Sequence, residues 1–80
     1  MAKGPKIRFS PHAHVRMAHR GISIAIVRET VRSPDSVSDS DSGEGRKRAV
    51  KCFGNYTYVV IYKALDENTV LVVTTYVSDR

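Results

Sequence analysis

Residues 10–23 read SPHAHVRMAHRGIS, and this stretch carries the signals for one complete helix and the start of a second. Ser10 is a preferred N-cap residue, and Pro11 suits the first helical position, where its missing N–H costs nothing. Gly21 is the residue type that most often ends a helix in the left-handed conformation. The stretch therefore predicts a helix over residues 11–20, a tight Gly-Ile-Ser turn, and a second helix capped by Ser23.

The residues after Ser23 keep a helical period as far as Ser33, and Pro34 follows just beyond that end. A proline in this place is typical, because it cannot continue a helix. The apolar residues of the segment share one half of the helical wheel: Ile24, Ile26, Val27 and Val31. Two N-terminal helices are therefore expected, each with one apolar side that packs on the rest of the chain.

The second half of the chain changes from a helical to an alternating period. Gly54-Asn55 is a two-residue hairpin signal between the alternating runs Ala49–Phe53 and Tyr56–Lys63. Residues 66–68 mark a second turn before Thr69–Val77, a run rich in the valine and threonine that strands favour. These runs predict an antiparallel meander.

Two short segments, Ile7–Phe9 and the residues near Val37, are further candidates for strands. The expected fold class is α+β, with two N-terminal helices packed on a three- or four-stranded antiparallel sheet. One domain is expected over residues 1–80, with its core over about 7–77.

The chain has 80 residues and a formal net charge of +5, and its charges are unevenly distributed. Residues 1–34 hold seven Lys and Arg against one acid, whereas residues 35–45 hold four acids and no base. A strong basic balance favours nucleic acid, an anionic membrane surface or an acidic protein as a partner. The acidic segment is rich in Ser, Asp and Gly, which predicts a mobile loop over about 35–45.

Cys52 is the single cysteine. It excludes an internal disulfide and a cysteine zinc cluster, and it favours a reducing compartment. No stretch approaches the roughly 18 apolar residues of a membrane span, and the charged N-terminus has no apolar segment behind it. The sequence therefore favours a cytoplasmic protein without a membrane segment.

The first predicted helix sorts its cationic side chains onto one side. His12, Arg16 and Arg20 recur at i, i+4 and i+8, and His19 lies beside His12 in angle. Like charges at this spacing destabilise a helix slightly, so an acidic partner or an anionic ligand is expected unless the side chains are simply solvated. A neutral imidazole at His12 can act as a general base, although a lone histidine more often makes a structural hydrogen bond. With His14, the three histidines lack the i, i+4 spacing of a helical zinc pair, so neither metal nor cofactor is predicted.

Three motifs carry a resemblance to a known family. The first helix reads His12-Ala13-x-x-Arg16-x-x-x-Arg20-Gly21-Ile22, and the last predicted strand contains Val73-Thr74-Thr75-Tyr76. The middle of the chain reads Arg48-Ala49-Val50-Lys51 and is followed by a glycine turn. In these motifs the chain resembles a family of small uncharacterised bacterial and archaeal domains with an HAxxRxxxRGI signature, over residues 7 to 77.

That family is grouped with the RelE/ParE-like toxins among the barnase-like endoribonucleases. The resemblance implies a RelE-like fold, with two helices on a curved antiparallel sheet and a site where the first helix faces the sheet. Matched residue by residue, it implies catalytic roles for six side chains: His12, Arg16, Arg20, Lys51, Thr74 and Tyr76. Lys51 is the loosest match, and the full catalytic set of a proven toxin cannot be assigned.

Thr74 and Tyr76 are two residues apart in a predicted strand, so they project from the same face. A hydroxyl and a phenol beside a basic helix would suit phosphate binding, and a half-buried strand face is the alternative. Tyr56, Tyr58 and Tyr62 likewise share one face, where they either stack on bases or pack in the core.

Two functions fit these residues. The leading hypothesis is a toxin-type endoribonuclease that cleaves RNA without a metal, through attack of the ribose 2′-OH with His12 as base or acid. Its partners would be RNA and an acidic antitoxin, with further RNA contacts from four residues: His19, Arg46, Lys47 and Arg48. The alternative is a non-catalytic module that binds nucleic acid or an acidic protein, or that pairs a sheet edge with another chain. A monomer or a homodimer is expected.

Overall fold

In chain order, one short strand comes first, two helices follow, and four strands come after them. In a computed structural model, residues 6–40 and 45–79 are described. The elements are β1 (Lys6–Phe9), α1 (Pro11–Arg20), α2 (Ile24–Arg32), β2 (Ser36–Asp39), β3 (Arg46–Phe53), β4 (Tyr56–Asp66) and β5 (Thr69–Asp79). The α+β class expected from the sequence is therefore confirmed.

The helix caps predicted from the sequence are present. The Oγ of Ser10 accepts a hydrogen bond from the backbone N–H of Ala13 at 3.0 Å, and Gly21 ends α1 at φ 69°. The Oγ of Ser23 caps α2 through the N–H of Ile26 at 3.2 Å. Within the described ranges, neither helix has the length and apolar content needed to cross a membrane.

The sheet has five strands in the order β1-β5-β4-β3-β2. β1 pairs with β5 in parallel, and the other three pairs are antiparallel. The prediction of a three- or four-stranded antiparallel sheet is therefore wrong in two respects. The sheet has five strands, and one of its pairs is parallel. β1 and β2 have only four residues each, too few for an alternating pattern to be distinctive. The pairing of β1 with β5 joins distant parts of the sequence, which no local pattern encodes.

The acidic segment is not wholly a loop. Ser36–Asp39 forms β2 at one edge of the sheet, and each of its residues is exposed. Of the remaining residues predicted as a mobile loop, 41–44 lie outside the described part of the chain.

Both helices pack on the same face of the sheet. The buried cluster between the two layers consists of Ala13, Met17, Ile22, Val27, Val31, Val60, Val70 and Val72. Tyr58 and Tyr62 pack against this cluster, so core packing is the role that the structure gives them. No described element lies over the opposite face of the sheet.

A β-bulge interrupts the pairing of β4 with β5. Ile61 pairs with Thr74 and the next residue, Tyr62, pairs with Val72, so Val73 is one residue too many for the ladder. A bulge of this kind shifts the alternation of side chains along the strand that carries it.

The bulge decides which side chains of β5 face the helices. Before it, Val70 and Val72 belong to the buried cluster. After it, Thr75 lies on the helix side, fully buried, and its hydroxyl donates to the carbonyl of Val59 at 2.8 Å. Because successive side chains alternate, Thr74 and Tyr76 project from the opposite face.

Ser10 connects the start of α1 to the bulge. Its backbone N–H donates to the carbonyl of Val72 at 3.0 Å, and its hydroxyl donates to the carbonyl of Val73 at 2.8 Å. The same hydroxyl accepts the capping bond from Ala13. One side chain thus satisfies a helix N–H and a bulge carbonyl together.

Candidate functional site

Thirteen side chains of β1, β3, β4 and β5 lie on the face of the sheet that the helices leave uncovered, and we call this set the open face. The register of the ladders and the alternation of side chains assign them to four strands. They are Arg8 of β1, Arg46, Arg48, Val50 and Cys52 of β3, Thr57, Val59, Ile61 and Lys63 of β4, and Leu71, Thr74, Tyr76 and Ser78 of β5.

The open face is ordered into rows that cross the strands. An apolar and aromatic row contains Val50, Val59 and Tyr76, and the next row contains Arg48, Ile61 and Thr74. Adjacent rows on a strand are two residues, or about 7 Å, apart. A cationic row with Arg46, Lys63, Leu71 and Arg8 follows on one side, and a row with Cys52, Thr57 and Ser78 lies on the other. Over two or three rows, the side chains therefore change from hydroxyl and aromatic groups to cationic groups.

The centre of the open face has a buried apolar floor and an unpartnered hydroxyl. Val59 is 3% exposed and Ile61 is 4% exposed, although no described element crosses above them. Among the described residues, only flanking side chains of the same face are placed to shield them. The Oγ1 of Thr74 is buried there without a hydrogen-bond partner. Such a group costs about 1–3 kcal/mol, which a bound ligand or water that bonds to it would offset.

Three cations of the open face, Arg8, Arg48 and Lys63, take part in none of the ion pairs found within the described part of the chain. The two ion pairs found there join Lys47 to Asp39 and Lys51 to Asp35. None of the thirteen residues of the open face is acidic.

The closest carboxylate along the strands is that of Asp66, at the far end of β4. It accepts the backbone N–H of Asn68 at 2.8 Å, and this bond is the main reason that the pKa of Asp66 is lowered. The lowered pKa keeps this carboxylate ionised, so Asp66 offsets positive charge at its own end of the sheet, near Lys6.

A second basic surface lies on the helix side of the sheet. We call it the α1 stripe, and it consists of His12, Arg16, His19 and Arg20. His12, His19 and Arg20 are exposed. Arg16 is half-buried, and its Nε is buried without a hydrogen-bond partner. No ion pair among the described residues involves the α1 stripe.

The expected meeting of α1 with Thr74 and Tyr76 is not found. The two residues share a face, as the sequence predicts, but the bulge at Val73 turns that face away from the helices. Without the extra residue, Thr74 and Tyr76 would continue the helix-facing series of Val70 and Val72. The catalytic roles of these side chains stay predictions, but among the described residues Thr74 and Tyr76 do not share a cleft with the α1 side chains, because they project from the opposite face of the sheet.

Lys51 and Lys47 also lie on the helix side, where each has a structural partner. The Nζ of Lys51 donates to the carbonyl of Ser33 at 2.7 Å, at the end of α2, and lies 5.9 Å from the ring centre of Phe53. The Nζ of Lys47 donates to Asp39 at 2.6 Å, and this bond raises the pKa of Lys47 and lowers that of Asp39. Of the basic residues predicted in β3, only Arg46 and Arg48 are on the open face.

Two basic residues of the open face, Arg8 and Lys63, were not singled out in the sequence. The signal exists, because Lys63 is two residues from Ile61 in an alternating strand. It becomes readable only when the register with β3 and β5 is known. Among the described residues, no group of three or more His, Cys, Asp or Glu side chains is arranged to hold a metal ion.

A family model described as a domain of unknown function, DUF4258, matches residues 9–77. No curated protein and no solved structure matches the chain. The matched residues include both helices, the whole α1 stripe and all of the open face except Arg8 and Ser78.

Proposed function

The chain belongs to the DUF4258 family, a family of unknown function, and we propose that it binds RNA through the open face. The observation that carries this proposal is an uncovered sheet face on which Arg48 and Lys63, which form no ion pair among the described residues, adjoin hydroxyl groups and an aromatic ring. A phosphate backbone is the common polyanion that such a surface attracts, since each neutralised phosphate releases condensed counterions.

The order of the rows suits a single strand better than a duplex. Tyr76 and Val50 are half-buried and lie in one row, and together they offer a surface on which an unpaired base can stack. Arg48 and Lys63 lie one and two rows away, at the distance where a backbone phosphate can be reached. In a duplex, paired bases would be held inside the helix and could not reach this surface.

The hydroxyl groups favour RNA over DNA. The ribose 2′-OH is both a donor and an acceptor, and it is the group by which proteins distinguish the two nucleic acids. The buried Oγ1 of Thr74 lacks a partner and lies in the row next to Tyr76. A 2′-OH that bonds to Thr74 would satisfy this group while the base contacts Tyr76.

The test is equilibrium binding of a fluorescent single-stranded RNA of mixed sequence, titrated with salt. The logarithm of the affinity is expected to fall with a slope of about −0.7 for each phosphate contacted. Tyr76→Ala is expected to weaken binding by about 1–3 kcal/mol, the usual loss for one stacked base, without a change in that slope. Tyr76→Phe keeps most of the affinity.

The matched control is Tyr56→Ala, because Tyr56 is 49% exposed and its neighbours in the register place it on the helix side. This variant is expected to bind as the wild type does. An equal loss in both alanine variants, or no salt-dependent binding by the wild type, contradicts the proposal.

A RelE-like, metal-independent endoribonuclease is the second candidate, and the nearness of Thr74 and Tyr76 to Arg48 favours it. In that reaction the ribose 2′-OH attacks phosphorus, the 5′ oxygen leaves, and a 2′,3′-cyclic phosphate forms. One group accepts the 2′-OH proton and another returns a proton to the 5′ oxygen. The open face carries no imidazole and no carboxylate, and His12 lies on the helix side. Binding is therefore the function that the arrangement supports better.

Cleavage is tested by incubating RNA with the protein in the presence of EDTA. If the open face catalyses, Tyr76→Phe lowers the rate about 100-fold or more, the usual contribution of a general acid or base, while His12→Ala does not. If the α1 stripe catalyses, His12→Ala lowers the rate by this amount and Tyr76→Phe does not. An absence of cleavage products with the wild type removes the enzyme hypothesis and leaves RNA binding untouched.

An acidic protein segment is a further partner that the charge of the open face permits. It would cover the same cations that we assign to RNA, as the antitoxin of a RelE-like toxin is expected to do. Competition between an acidic peptide and RNA for the wild-type protein would show whether the two share this surface.

A further inference from the structure

The α1 stripe has a feature that solvation of its charges does not explain. The Nε of Arg16 is buried and has no hydrogen-bond partner, while the side chain as a whole is half-buried. A buried neutral donor without a partner costs about 1–3 kcal/mol, and a buried donor on a charged group costs more. An anion that accepts from Nε and a neighbouring Nη would satisfy the guanidinium in its bidentate geometry.

The surroundings of Arg16 add positive charge and no described acid. His12 and Arg20 lie one helical turn before and after it on the same side. α1 contains no Asp or Glu, and the one acid of α2, Glu29, forms no ion pair with the described cations. The repulsion between Arg16 and Arg20 is therefore not offset within the described part of the chain.

We infer that the α1 stripe is a second phosphate-binding site, and that one molecule can hold two RNA segments, one on each side of the sheet. The inference adds to the proposed function, which concerns the open face alone. The two surfaces act independently, because α1 lies wholly on the other side of the sheet and a helix is about 10 Å across.

A phosphate backbone is the ligand that this geometry favours. Three cationic or protonatable groups repeat along α1 at four-residue intervals, about 6 Å along the helix axis, so they form a row that a linear chain of anionic groups can follow. The exposed ends of Arg20 and His12 permit access from solvent. A carboxylate would satisfy Arg16 alone, whereas a chain of phosphates also satisfies the flanking groups.

The experiment counts binding sites for a six-nucleotide single-stranded RNA by native mass spectrometry and titration calorimetry. The wild type is expected to bind two RNA molecules. At an RNA concentration that just fills both wild-type sites, Arg16→Gln/Arg20→Gln is expected to bind one RNA, as is Arg48→Gln/Lys63→Gln, and the combination of all four is expected to bind none. The exposed single variant Arg20→Gln, which does not disturb the half-buried Arg16, is expected to weaken the second site several-fold.

Arg28→Gln/Arg32→Gln is the matched control. These arginines are also spaced i, i+4 on a helix, are exposed, and give the same change in charge, but neither has a buried unpartnered nitrogen. This variant is expected to keep both sites. A second readout is energy transfer between two differently labelled RNA strands, which the wild type brings together and either double variant does not.

The outcomes separate this inference from the proposed function. If only Arg48→Gln/Lys63→Gln removes a site, or if the control removes one as well, the second site is refuted and the open face stands. If only Arg16→Gln/Arg20→Gln removes a site, the open face is refuted and the α1 stripe stands.

Discussion

The double variant Arg48→Gln/Lys63→Gln is expected to bind single-stranded RNA at the open face roughly tenfold more weakly than the wild type at 0.15 M salt. Each phosphate contact contributes about 0.7 to the salt slope, so the loss of two contacts lowers the slope by about 1.4. Both side chains lie on the open face and have no ion pair among the described residues, so removing them breaks no internal bridge. Fluorescence anisotropy over a range of salt concentrations measures the affinity and the slope together.

Lys47→Gln is the control for this variant. Lys47 is adjacent to Arg48 in β3 but projects from the other side of the strand, where it pairs with Asp39 at 2.6 Å. The Lys47→Gln variant removes one positive charge from β3 without changing the open face. If Lys47→Gln weakens binding as much as Arg48→Gln alone, net charge rather than the open face governs the affinity.

Ser10→Ala is expected to lower the free energy of unfolding by about 2–3 kcal/mol, the sum of a lost N-cap and a lost tertiary hydrogen bond. The hydroxyl of Ser10 serves both Ala13 and the bulge carbonyl of Val73, so its removal leaves two groups without a partner. For a domain with a total stability of about 5–15 kcal/mol this is a large fraction. Urea unfolding monitored by circular dichroism gives the change as a lower midpoint.

Ser23→Ala is the matched control, because Ser23 also caps a helix but its hydroxyl has only the exposed bond from Ile26. Its expected cost is about 1 kcal/mol. Ser10→Thr keeps the hydroxyl and is expected to recover most of the stability. If the two alanine variants lose the same amount, the bond from Ser10 to the bulge contributes nothing measurable.

The helices could be predicted from the sequence because their limits are set by neighbours. Ser10, Pro11 and Gly21 act within a few residues of the helix ends that they define, and each lies where its residue type predicts. The hairpin at Gly54 is local in the same sense, and Gly54 has the positive φ of 61° that its turn requires. Structure that depends on adjacent residues is readable in the sequence that encodes it.

The sheet and the site were less predictable because they depend on distant residues. The pairing of β1 with β5 brings Lys6 against Thr69, and nothing near either residue indicates the other. The shared face of Thr74 and Tyr76 follows from alternation, but the side of the sheet to which it turns depends on one extra residue, Val73. A bulge has no reliable local signal in a run of valines and threonines, so the side of the sheet that Thr74 and Tyr76 face was not predicted.

The central position of β5 has a consequence for how the chain is made. β5 lies between β1 and β4, and residues of this strand join the buried cluster with Ala13 and Met17 of α1. The ribosome synthesises α1 before β5. The apolar side of α1 therefore has no complete sheet to pack against until Thr69–Asp79 has left the exit tunnel. Contacts of such long sequence separation close slowly. The core of the domain therefore cannot be completed before β5 is available, and the packing of the nascent helices depends on that strand.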